Sequence, residues 1–137
     1  MTREVKIGSS RFSVVHATDD PGDGGAYHEY SISRVLTSAT AMLSIYRPPQ
    51  DDLDIVPFGE FGHIKFQKGP VKENGVNGCH QEDLIAIVLD RLQCFQAGDF
   101  ACRENALAIT KLEEALHWLN HRTKDRVDRG VEGTSVI

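Results

Sequence analysis

The stretch QEDLIAIVLDRLQCFQAGDFACRENALAITKLEEALHWLNHRTKDRVD, residues 81–128, decides the fold. Between Gln81 and Gln96, Leu84, Val88, Leu92 and Phe95 recur at helical spacing, and Ile85 and Leu89 widen the stripe. Glu82 and Asp83 suit the first turn, where aligned peptide dipoles favour negative charge. Gly98 suits the position after a helix that often needs a positive φ, and Asp99 suits the cap of the next helix. The pattern then predicts a long helix from about Phe100 to about Asp128, with Ile109, Leu112, Leu116 and Leu119 as its stripe. So short a connection as Ala97-Gly98-Asp99 forces an antiparallel helical hairpin. Both helices are apolar over an arc too wide for two helices to bury alone. The surplus has to pack on a sheet, on another copy of the chain, or on both.

The stripe of the long helix runs into arginines. At 100° per residue Arg126 projects within about 20° of Leu119 and Arg122 within about 60°, while Asn105 lies one turn before Ile109 on the same seam. Two readings of the arginines are open on the residues alone. They can pair with Asp125, Asp128 or a glutamate as a solvated helix end, where basic residues suit the dipole. They can instead hold an anion, since the guanidinium fork grips phosphate oxygens and stacks on flat rings. Asn105 and Arg122 are separated by about 25 Å of helix, so one small ligand reaches both only if they come from different subunits. Functional use of the seam therefore predicts a pocket between chains of a homo-oligomer. Phe95, across the turn from Asn105, could stack on a base.

The first half has another period. Glu4–Ile7, Phe12–Val15, Tyr27–Ile32, Ala41–Tyr46 and His63–Phe66 read as strands, broken by the turn-rich segment Asp19–Gly25 and by Pro48-Pro49. The loop with Asp19, Asp20 and Asp23 lacks the ligand spacing of an EF-hand and reads as a solvated turn. Residues 69–78, GPVKENGVNG, form a glycine-rich connector. The expected class is α+β: a small antiparallel sheet in a β-rich part, 1–68, followed by a connector plus helical hairpin, 69–137.

The formal net charge of −5 argues against duplex DNA as a partner, because phosphate-tracking proteins are usually basic. It leaves room for a small anion met by a local arginine cluster. Cys79, Cys94 and Cys102 are odd in number and form no Cys-x-x-Cys pair, so reduced thiols in a cytoplasm are expected. No apolar run is long enough for a membrane span. His117 and His121 have ligand spacing but no evident third ligand, so no metal site is expected. His80, Glu82, Asp83 and Glu104 offer acid–base groups without a convincing pair, and phosphate-loop, nucleophile-elbow and dinucleotide-binding patterns are missing. The case for an enzyme is thin.

Four segments carry a resemblance: FQKGPVKENGVNG (66–78), LIAIVLDRLQCFQAG (84–98), FACRENALAITKLEEALHWLN (100–120) and RTKDRVDRGVEGT (122–134). Together they resemble the hairpin domain shared by bacteriophage anti-CBASS sponges and the first class of Thoeris anti-defence proteins. The β-rich half and the segment AYHEYSI (26–32) are more similar to the Thoeris branch, whereas 36–60 matches nothing. The resemblance implies a non-catalytic, cofactor-free sponge in the cytoplasm of the infected host. It would sequester a cyclic ADP-ribose isomer, glycocyclic ADP-ribose, in pockets between the subunits of a dimer or hexamer. Phe95 would stack on adenine, Asn105 would hydrogen-bond the ligand, and the neighbouring subunit's copies of Arg122 and Arg126 would hold the pyrophosphate. Arg129, Gly130, Val131, Gly133 and Thr134 would form a second site for cyclic oligonucleotides. Three alternatives remain at this point: a sponge for CBASS cyclic di- or trinucleotides only, a hydrolase of the same messengers, and an interaction module whose apolar faces serve assembly alone.

Overall fold

A computed structural model describes residues 2–7, 13–34 and 61–137. The chain forms two compact units, residues 1–68 and 69–137. In the first, β1 (Arg3–Val5), β2 (Ser13–Ala17), β3 (Glu29–Arg34) and β4 (Gly62–Lys65) lie side by side in chain order as an antiparallel sheet. The strand boundaries differ from the sequence expectation by one to a few residues. The expected strand Ala41–Tyr46 lies outside the described residues.

Register explains the alternation of side chains. Val5, Val15, Ile32 and Gly62 pair across one row, and Arg3, Ala17, Tyr30 and Ile64 across another on the same face. Ala17 is fully buried there, and Tyr30 meets the edge of Phe66 at 5.7 Å between ring centres. The other face carries the row Glu4, His16, Ser31 and His63. The turn-rich segment between β2 and β3 holds a single 3-10 turn, Asp23–Gly25. Its base is pinned by the Asp19 carboxylate, which accepts from the backbone N–H of His28 at 3.1 Å and of Glu29 at 3.2 Å. Burial pushes the Asp19 carboxyl up, but those N–H groups and the nearby His28 ring outweigh it and hold it below its ordinary value.

The second unit is α+β's helical part: α1 (Val71–Asn74), α2 (Gln81–Gln96) and α3 (Arg103–Asp128), with α2 and α3 packed as an antiparallel hairpin. The connector thus contains a helical turn that sequence periodicity did not show. On α2 the inward side is Leu84, Ile85, Leu89, Leu92 and Phe95, while Val88 is turned outward. On α3 the half-buried positions are Asn105, Ala108, Ile109, Leu112, Ala115, Leu116, Leu119, Thr123 and Arg126. Neither helix has a fully buried residue, and Ile87, Phe100, Leu107 and Trp118 are exposed.

Two expectations at the turn are corrected. Gly98 does not take a positive φ, because α2 closes on Ala97 in ordinary helical conformation. Asp99 does not cap α3. The helix starts at Arg103, and Cys102 caps it with Sγ, which accepts from Asn105 N–H at 3.4 Å. The cause is the brace laid across the turn: the Gln96 side-chain carbonyl accepts from Cys102 N–H at 2.8 Å. That bond carries residues 99–101 past the point where a helix could have begun.

Candidate nucleotide half-sites at the two ends of the hairpin

At the turn end, Leu92, Phe95, Phe100 and Asn105 line an open pocket of about 400 Å³. Phe95 is placed by the last turn of α2, and Phe100 by the turn that follows it, closed by the Ala101 N–H to Gly98 carbonyl bond at 3.4 Å. The two rings meet edge to face at 6.1 Å. Asn105 sits in the first turn of α3. Its amide N–H donates to Phe100 carbonyl at 3.4 Å, which turns the side chain back over the connection and leaves its oxygen without a partner among the described residues. The structure thus brings Phe95 and Asn105 together. Sequence reasoning missed two further residues here. Phe100 is half of the aromatic corner, and Arg91 holds its guanidinium carbon 4.9 Å from the centre of the Phe95 ring. The signal for Arg91 was its i, i+4 spacing to Phe95, which puts the two on one helix face.

The other end carries the arginines, and the structure separates their roles. Lys124 pairs with Asp128 at 2.6 Å and Arg129 with Asp125 at 3.1 Å, both on the helix surface. Arg126 is nearly enclosed, with 12% of its side chain exposed. Its Nε donates to Glu132 at 2.9 Å, and its two terminal nitrogens donate to the carbonyls of Val131, Thr134 and Val136. This is a clasp that folds the tail back on the helix end. Arg122 is exposed, and among the described residues it has no hydrogen-bond or ion-pair partner. Of the two arginines in the solvated-end reading, Arg126 does meet a glutamate, Glu132, but enclosed rather than solvated. Arg122 meets no carboxylate among the described residues, and Asp125 and Asp128 pair with Arg129 and Lys124 instead.

The tail is built around that clasp. Gly130 and Gly133 adopt positive φ, and Gly133 carbonyl accepts from Lys72 N–H at 2.9 Å. A Cβ on Gly133 would meet the Lys72 side chain at 3.0 Å, so this glycine is required by close approach as well as by φ. The five residues expected to form a second site, Arg129, Gly130, Val131, Gly133 and Thr134, lie in this loop. The carbonyls of Val131 and Thr134 are already committed to Arg126. His117 and His121 flank the exposed ring of Trp118 edge-on, at 5.4 and 6.0 Å. Among the described residues no group of three or more His, Cys, Asp or Glu is placed to hold a metal ion. All three cysteines are free thiols.

Residues 60–124 match the family described as Acb2/Tad1, hairpin domain. Over 76 residues the chain is 63% identical to Thoeris anti-defense 1 of Bacillus phage SBSphiJ7, a match covering 56% of this chain and 54% of that protein. The chain thus spans about half the length of the curated relative it matches. Over residues 60–124 this chain is similar to the Acb2/Tad1 hairpin domain, and over 76 residues it is similar to a phage Thoeris anti-defence protein.

Proposed function

We propose that the chain is a phage anti-defence sponge that binds a cyclic ADP-ribose isomer, glycocyclic ADP-ribose, and withholds it intact from the host's Thoeris effector. One observation carries the reading: an aromatic–amide pocket at one end of the hairpin, and at the other an exposed arginine without a partner among the described residues. The adenine stacks on Phe95 and hydrogen-bonds Asn105. The pyrophosphate lies against Arg122 of a second subunit, because helix rise separates the two half-sites by about 25 Å within one chain. Arg126, one helical turn after Arg122, keeps one N–H of its fork uncommitted, which is available to the same phosphates.

Binding rather than cleavage is supported by what lines the pocket. Two phenyl rings, a leucine and an amide include no nucleophile and no general acid or base. Assembly is supported by the apolar side chains that the single chain leaves in water. The tail loop, Arg129 to Thr134, is the place for a second, cyclic oligonucleotide site. The protein acts where the messenger is made, in the cytoplasm of the infected cell, and no helix among the described residues is long and apolar enough to cross a membrane.

The decisive experiment incubates the protein with glycocyclic ADP-ribose, denatures it by heat and analyses the released nucleotide. Intact messenger is expected. Linear ADP-ribose would establish a hydrolase in its place, and failure to retain any nucleotide would leave assembly as the role of the helix faces.

A further inference from the structure

The pocket at the turn is almost wholly apolar, yet the ligand proposed for it is a doubly charged pyrophosphate ester. Its four lining residues carry no formal charge. A cation stands at its rim. Arg91 lies one helical turn before Phe95, with its guanidinium 4.9 Å from the ring centre. Contact with a ring face uses none of the five guanidinium N–H donors. Among the described residues Arg91 has no carboxylate partner, and its side chain is exposed. An arginine held against an aromatic platform, with its donors unspent, is arranged to meet an anion attached to whatever stacks on that platform.

We propose that Arg91 is a ligand-binding residue of the Phe95–Asn105 half-site, contacting a phosphate or ribose oxygen of the bound nucleotide and selecting charged nucleotides over neutral nucleosides. This rests on the sponge reading above. The contact with Phe95 gives the long side chain a preferred position before the ligand arrives, which lowers the entropy lost on binding. Because the cation–π contact is weak at an exposed site, the guanidinium can shift toward a phosphate with little loss.

The test is titration calorimetry of wild type, Arg91→Met and Arg91→Lys with glycocyclic ADP-ribose and, separately, with adenosine, at two salt concentrations. Methionine keeps the unbranched apolar stem and helix propensity while removing the charge. Arg91→Met is expected to weaken messenger binding by about tenfold or more and to flatten its salt dependence, with Arg91→Lys recovering part of the loss. Adenosine binding is expected to stay unchanged. Equal messenger affinity and equal salt dependence in wild type and Arg91→Met would overturn the assignment of Arg91 and leave the sponge reading intact. A wild type that binds no messenger would overturn both.

Discussion

Single side chains in this protein divide into those already spent on the fold and those held ready. Arg122 and Arg126 illustrate the division, because they share a helix end and a residue type. Arg122→Ala removes an exposed group without a partner among the described residues, so the melting free energy should change by less than about 0.5 kcal/mol, while messenger affinity falls by about tenfold or more. Arg126→Ala strips the tail of its central donor. It should cost about 1–3 kcal/mol and raise hydrogen exchange across Val131–Val136, which mass spectrometry of the two variants would read. Asp19 supplies a pH dependence. Its carboxyl is held below its ordinary value in the folded state, so the stabilisation is present above the unfolded carboxylate range and is lost as pH falls below about 4. Thermal melts of wild type between pH 7 and pH 3 should show that loss in the sheet unit. Asp19→Asn should be less stable at pH 7 by about 1–2 kcal/mol and should show a smaller decline.

Whole elements follow from repeating patterns, and this is where the sequence was most legible. The α2 boundaries, Gln81 and Gln96, coincide with those read from the apolar period. The end of α3 at Asp128 agrees as well, because the seam continues through Leu119 to Arg126 without a break. The start of α3 was misread. Asp99 has the better capping side chain, but the Gln96 brace and the Phe95–Phe100 contact are set by residues on both sides of the turn, which local propensity does not weigh. Most of the Arg126 clasp was illegible for a similar reason: apart from Glu132 its acceptors are tail carbonyls, which leave no trace in residue identity. The Cys102 cap makes its own prediction. A hydroxyl accepts from a backbone N–H better than a thiol does, so Cys102→Ser should raise helix stability by roughly 0.5–1 kcal/mol and Cys102→Ala should not. Urea denaturation midpoints at constant slope would distinguish the two.

For the molecule entire, the proposed two-subunit site has a consequence that binding by either variant alone does not test. Asn105→Ala and Arg122→Ala each damage every site of their own assemblies, but at opposite ends of the helix. If the assembly contains two-fold interfaces, an equal mixture after unfolding and refolding together should recover messenger binding at about a quarter of wild-type capacity, since half the pairs are mixed and each holds one undamaged site. No recovery in calorimetry of the mixture would show that both residues serve one chain's own pocket, or none. The tail and α1 meet through Lys72 and Gly133, so the segments that enter and leave the hairpin are fastened together at one end. The pocket lies at the other, beside two exposed thiols, Cys94 and Cys102. A unit tied off in this way is a cassette. Its ends are held together at the base by bonds of its own, so the tip is the place to attach a reporter. A fluorophore on either tip thiol would then report ligand capture directly.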